Sequence, residues 1–314
     1  RPVKYGTVWR QLRRYRLPIW RGNCGLRRGA DSDQPMDERE VVMDFSSWIG
    51  NSVTRHDSIT PRMVEHFKQS LAPHCFADQP VPPGLCWCLA PDVVAADQLG
   101  ADGHPKLGGF LPEIPYERRM WAGGWVEFHG QFAIGDAVRK TSRIDDITFK
   151  SGRSGNLCFI AVMHEFHVAD TLVLRERHDV VYREIVTPAS PPVAPTTPAA
   201  PAHRWQVNAD PVMLFRYSAL TFNGHRIHYD LPYSTQSEGH AGLLVHGPLQ
   251  ATLMLNLACQ INGKQPQKMA YRGVSPLVCG DPIMVDADPI EAGQLGCCVR
   301  AANGTVTMTA EVTL

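Results

Sequence analysis

The sequence predicts an α+β chain built from two similar units. Three observations carry that prediction: a spacer that divides the chain, a pattern repeated on either side of it, and one helix too apolar to lie on a surface. At 314 residues the chain has the length of two domains, each able to bury its own core. The spacer runs TPASPPVAPTTPAAPA over 187–202. Proline at that density supports neither a helix nor a central strand, so the segment reads as an extended, semi-rigid linker. Its flanks, 36–186 and 203–314, are the two units.

The repeat is seen in turns and alternation. In the first unit Phe128 leads to Gly135 and Asp136, and later Gly155 and Asn156 open the run LCFIAVMHEF, where Leu157, Phe159, Ala161 and Met163 alternate with their neighbours. In the second, Tyr271 leads to Gly280 and Asp281, and Asn303 and Gly304 open TVTMTAEV, where Val306, Met308, Ala310 and Val312 alternate. Alternation beside a Gly/Asn pair is a hairpin signal, so each unit is expected to end in an antiparallel meander and the two hairpins to be counterparts.

Each unit also places a helical stretch ahead of its strands. Residues 243–259, LLVHGPLQATLMLNLAC, are apolar on nearly every side, which suits a helix enclosed by a sheet. Gly247 and Pro248 mark its start, because proline in the first turn forfeits no hydrogen bond. The comparable stretch of the first unit is 83–99, PGLCWCLAPDVVAADQL, interrupted by Pro91. A further amphipathic helix is expected over 61–71, with Thr60 as its cap and Val64, Phe67 and Leu71 facing inward.

Composition narrows the function classes. Residues 1–35 carry nine Lys/Arg against two Asp/Glu, have no initiator Met, and read as a disordered or non-native extension; an Arg-rich transit segment is the rival reading. The remaining body is net −7, with no broad basic face interleaved with aromatics, so no nucleic-acid partner is expected. No stretch approaches the roughly twenty apolar residues of a membrane span. The nine cysteines lack zinc-knuckle spacing and read as reduced packing residues, consistent with a cytoplasmic protein. Histidines at 225, 228, 240 and 246 raise the question of a metal, but few carboxylates accompany them and none is expected.

The segment richest in chemistry is FRYSALTFNGHRIHYD, 215–230, followed by the helix start LLVHGP. With FLPEIPYERRMWAGGWVEFHG from Phe110 and KSGRSGNLCF from Lys150, it resembles the MaoC-type hydratase and dehydratase family. The likeness is closest to the double-hotdog branch that includes mesaconyl-C4-CoA and itaconyl-CoA hydratases, and it covers nearly all of 36–314. It implies a double hotdog, with the first unit shaping a substrate tunnel and the second reacting. It also implies a catalytic His five positions after a catalytic Asp. His228 holds the His position, and Asn223 stands where the family has Asp.

Hydrating a double bond conjugated to a thioester requires a base for water and a site for the charge that builds on the thioester oxygen. His228 is the expected acid/base, since imidazole exchanges protons near neutrality. Asn223 is expected to position water or the imidazole, because an amide does not titrate. Gly247 is expected to supply an oxyanion N–H from the positive end of the helix. Asp230 is a candidate to orient His228. Arg226 and Tyr229 are candidates for a distal carboxylate, with an ion pair holding the segment as the alternative. His246 is expected beside the site as a packing and hydrogen-bonding residue. The pairs Arg118-Arg119 and Lys150/Arg153 are weighed between CoA phosphates and plain solvated charge.

The expected reaction is reversible hydration of a short branched or dicarboxylic enoyl-CoA, such as itaconyl-CoA or mesaconyl-C4-CoA. It needs no cofactor beyond the CoA of the substrate. Dehydration of 3-hydroxyacyl thioesters is the nearest alternative; an acyl-CoA thioesterase and a non-catalytic acyl-binding module are the others. A homo-oligomer is left open.

Overall fold

A computed structural model of the chain describes residues 44–116, 118–152, 155–184 and 200–314. The extension expected at 1–35 and residues 187–199 of the expected spacer lie outside the described residues. The first unit contains β1 (Ser52–Ser58), α1 (Pro61–Leu71), β2 (Arg118–Phe128), β3 (Ala137–Gly152), β4 (Gly155–Val168) and β5 (Thr171–Arg183). The second contains β6 (His203–Val207), α2 (Pro211–Thr221), α3 (Gly247–Asn262), β7 (Lys268–Gly273), β8 (Ile283–Glu291), β9 (Gln294–Arg300) and β10 (Val306–Thr313).

All ten strands join one sheet in the order β1-β3-β4-β5-β2-β7-β10-β9-β8-β6, every pairing antiparallel. The order is a palindrome about the β2–β7 seam, so β3 corresponds to β8, β4 to β9 and β5 to β10. The expected hairpin equivalence is therefore one strand out. Gly155 opens β4 while Asn303 and Gly304 lead into β10, whose counterpart is β5. Any hairpin flanked by alternating apolar residues gives the same local signal, so the signal alone does not say which hairpin it marks. The face of β4 buries Cys158, Ile160, Val162, His164 and Phe166, the set opposite to that led by Leu157 and Phe159.

The second unit encloses its helix as predicted. Every residue of α3 from Leu249 to Cys259 is buried, against β7 to β10, and Gly263 ends the helix in a left-handed turn. Three buried polar residues of α3 have partners. Gln250 Oε1 accepts from Thr307 Oγ1 at 2.7 Å, and Thr252 Oγ1 donates to the Pro248 carbonyl at 2.8 Å. Asn256 ties the units together, accepting from the Phe76 N–H at 2.8 Å and donating to the Pro83 carbonyl at 3.0 Å.

The first unit does not form the matching helix. Over 83–99 the chain makes only single turns at Leu85–Cys88 and Ala96–Gln98. Pro82, Pro83 and Pro91 remove amide donors, and Gly84 and Ala90 adopt left-handed backbone that no helix contains. The segment still buries Leu85, Cys86, Cys88 and Leu89 in the core that surrounds α3. The amphipathic helix α1 is as expected, capped by Thr60 Oγ1 accepting from the Met63 N–H at 3.1 Å and burying Val64, Phe67 and Leu71. Among the described residues no helix is long and apolar enough to cross a membrane.

Candidate active site

The segment carrying His228 is built by local turns. Helix α2 starts at an Asp210 cap, whose carboxylate accepts from the Met213 N–H at 2.8 Å, and ends where Phe222 turns left-handed. Asn223 Oδ1 then accepts from the His225 N–H at 2.9 Å, closing a tight Asx turn. A single helical turn, Arg226–His228, follows. Its backbone is bound to the strand entering α3 through the Leu244 N–H, which donates to the Ile227 carbonyl at 3.0 Å.

That attachment sets the imidazole. His228 Nδ1 lies 2.8 Å from the Leu244 carbonyl, which can only accept, so the proton sits on Nδ1 and Nε2 keeps its lone pair. The ring stacks on His246 with centroids 3.6 Å apart. Burial, with the neighbouring His246 as the next cause, holds the His228 pKa well below the ordinary histidine value, so the ring is a neutral base at neutral pH. His246 is wholly buried, its Nε2 is 2.8 Å from Ser218 Oγ, and burial pushes its pKa down to about 3.

His246 is also the residue from which α3 departs, so His228 stacks directly against the residue preceding Gly247. Gly247 opens the helix, where unpaired N–H groups and about half a positive charge converge. The residue must be glycine for steric reasons, because a Cβ there would come within 2.5 Å of Trp121 Cε3. Trp121, from β2 of the first unit, stacks on Tyr271 at 4.5 Å and meets His178 edge-on at 5.7 Å. The structure thus brings His228, His246 and Gly247 together, with Trp121 as a wall.

Other expected residues lie elsewhere. Asn223 spends its carbonyl on the turn that carries His225, one helical turn before the imidazole. Asp230 does not orient His228; it pairs with Arg226 at 2.7 Å and accepts from the Tyr233 N–H at 3.1 Å. Arg226 also donates to the Ala101 carbonyl at 3.0 Å and lies 4.2 Å over the Tyr233 ring, so its guanidinium braces the segment. The Tyr229 hydroxyl donates to the Gly224 carbonyl at 2.9 Å while the ring is exposed. Arg118 donates to the Glu238 backbone carbonyl, with the Glu238 carboxylate 3.9 Å from its Nε.

Sequence reasoning missed the loop at 100–105, which clamps the segment carrying His228 from the first unit. Arg226 N–H donates to the Asp102 carbonyl at 2.9 Å, and Gly103 packs so closely on Gly224 that a Cβ would meet its carbonyl oxygen at 2.0 Å. His104 bonds Asp102 at 2.8 Å and lies 4.3 Å from the ring of His225, itself 5.5 Å from His228. Asp102, His104 and His225 place their donor atoms within 4.8 Å of one another, a different grouping from the histidine set read in the sequence. Asp102 and His104 already satisfy each other, which fits a brace for His225. No local pattern marks these residues, since all are joined to the site through pairings more than a hundred residues apart.

The profile of the family described as hydroxyacyl-thioester dehydratase type 2 matches residues 84–279. A curated relative, the mesaconyl-C(4)-CoA hydratase of Chloroflexus aurantiacus, is 40% identical over 253 residues, covering 78% of this chain and 89% of its own. Among solved structures, a MaoC-like dehydratase from Phytophthora capsici superposes with a TM-score of 0.63 at 14% identity, covering 84% of this chain and 95% of that one. A Mycobacterium tuberculosis protein described as a double hotdog superposes at 0.51 with 14% identity, covering 84% and 95% respectively. Two five-stranded halves of one sheet, joined at the β2–β7 seam with a buried helix in the second, are that double hotdog, and the chain belongs to the hydroxyacyl-thioester dehydratase type 2 family of MaoC-like hydro-lyases.

Proposed function

We propose that the protein reversibly hydrates a short dicarboxylic enoyl-CoA of the mesaconyl-C4-CoA kind. The observation that carries this reading is the stacking of His228 on His246, which sets an imidazole whose Nδ1 is bonded to the Leu244 carbonyl beside the amide end of α3. In this reading His228 Nε2 takes a proton from the water that adds to the β-carbon and returns a proton to the α-carbon. The Gly247 N–H and the helix dipole hold the enolate oxygen that forms between the two steps. His246 fixes the plane of His228, and Asn223 holds the turn that delivers it. The mechanism uses no metal or cofactor, only the CoA of the substrate.

The identity to a mesaconyl-C(4)-CoA hydratase supports the substrate class, and the family description supports the same residues run toward dehydration of a 3-hydroxyacyl thioester. The test is loss of enoyl-thioester absorbance across mesaconyl-C4-, itaconyl-, crotonyl- and long-chain enoyl-CoA. Fastest turnover is expected with mesaconyl-C4-CoA. Release of free CoA, read with a thiol reagent, in place of hydration overturns the reading in favour of thioester hydrolysis.

A further inference from the structure

The palindromic sheet allows the two units to be compared residue by residue. At the seam Gly124 pairs with Tyr271. From there His178 corresponds to Ala310, Glu176 to Met308, and Val162 to Cys297. One strand further out, His164 corresponds to Val299 and Ser142 to Val285. The second unit's residues at these positions are buried apolar contacts for α3. Apart from Val162, their counterparts in the first unit are polar or ionisable, and among the described residues no helix lies over them.

A cavity of about 830 Å³ occupies that face, lined by Arg119, Lys140, Ser142, His164 and His178 among others. Its lining holds Arg55, Arg119 and Lys140 against Asp92 and Glu113. Asp92 pairs with Arg55 at 2.6 Å, and Glu176, within electrostatic reach of Lys140, accepts from Trp87 at 2.9 Å and from the Tyr271 hydroxyl at 3.3 Å through Oε1. Lys140 Nζ lies 3.4 Å from the Leu89 carbonyl and 5.2 Å over the Phe166 ring, and no carboxylate pairs with it within 4 Å among the described residues. Arg119 has no carboxylate or hydrogen-bond partner for its side chain among the described residues. Beside it, His178 Nε2 and the hydroxyl of Tyr182, which pairs with Arg119 across the strands, are both buried without a partner. A half-buried guanidinium without a partner beside two buried, orphaned polar atoms is an arrangement that an anion would complete.

Resting on the functional reading above, we propose that Arg119 and the polar face around His178 hold the free carboxylate of the substrate's acyl group. Arg119 lies two residues before Trp121, or roughly 7 Å along the strand, and Trp121 packs on Gly247. That separation suits a branched diacid with a four-carbon main chain whose thioester rests at Gly247. Arg119 lines the cavity together with His178, and its positive charge, after burial, helps depress both His178 and His104, whose ring meets that of His225 beside His228. A guanidinium fork matches a carboxylate in two parallel hydrogen bonds. Arg119 is thus the residue that selects a diacid over a plain branched acyl chain.

The test compares mesaconyl-C4-CoA with 3-methylcrotonyl-CoA, which carries a methyl in place of the carboxylate. The wild-type kcat/KM is expected to favour the diacid, and R119Q to shrink that preference by about 10- to 100-fold, the range for a charged hydrogen-bond pair, mainly through KM. R119K, keeping charge without the fork, is expected to fall between them, and it decides the matter if R119Q does not fold. Diacid turnover with the preference intact in both variants overturns the carboxylate site alone. A wild-type enzyme inert toward both thioesters overturns the hydratase reading and the site with it.

Discussion

The two units share strand order and register yet spend their concave faces differently. The second fills its face with α3, whose residues from Leu249 to Cys259 are all buried. The first leaves its face open, breaks the corresponding helix with three prolines, and lines the space with ionisable side chains. The second face is thus spent on packing, and the first is the one proposed above to hold a ligand. The candidate site joins them: His228 and the helix end come from the second unit, the clamp at Asp102 and the wall at Trp121 from the first.

The largest effect is expected at the base. H228A should lower kcat by about 100- to 10,000-fold, the usual worth of a general base, with melting little changed. Near-normal turnover would remove His228 from the chemistry. Because its pKa is held well below 6.5, kcat/KM should stay flat from pH 8 to below 6.5 and fall only in more acid solution. An acid limb centred at or above 6.5 would contradict the neutral, buried imidazole.

Packing should separate the units next. L253A removes a fully buried side chain from the enclosed helix and is expected to cost about 2–5 kcal/mol in urea unfolding. N256A strands the Phe76 N–H and the Pro83 carbonyl and should cost about 1–3 kcal/mol; a smaller loss would mean the units do not depend on this clip.

Acid should weaken both units through histidines buried neutral. Burial lowers His246 to about 3, His178 to about 3 and His104 to about 4. Between those values and 6.5 the unfolded chain binds protons that the folded chain does not, so stability is complete above 6.5 and declines as pH falls. The slope is at most about 1.4 kcal/mol per pH unit for each histidine. Melting temperatures measured from pH 7.5 to 5 should fall accordingly, and H178F should flatten the decline; an unchanged slope would take His178 out of the account.

What could be read from the sequence follows from range. The cap and face of α1, the start of α3 at Gly247 and the placing of His228 depend on neighbours within a few residues or on a contiguous motif. Arg119, Trp121, His104 and the polar face acquire meaning only through the β2–β5 and β2–β7 pairings, which carry no periodic signature. The absent helix at 83–99 was foreshadowed by Pro91, but the burial of its leucines and cysteines depends on α3, encoded far downstream. For Arg226 the ion-pair alternative is the one seen, and Asp230 is turned from His228, because the two satisfy each other four residues apart.

The smallest effect is the most telling for the comparison. Ser142 Oγ and His164 Nδ1 bond each other at 2.7 Å, at positions held by Val285 and Val299 in the second unit. Replacing both with valine removes donor and acceptor together, which leaves no polar group unpaired and is close to neutral when shapes match. His164 is already held neutral by burial, so no charge is lost. The double variant should therefore melt within about 1 kcal/mol of the parent. A loss above about 2 kcal/mol would show that the first unit uses its polar face to stand up, and the contrast with the helix-filled unit would then be one of packing style and not of purpose.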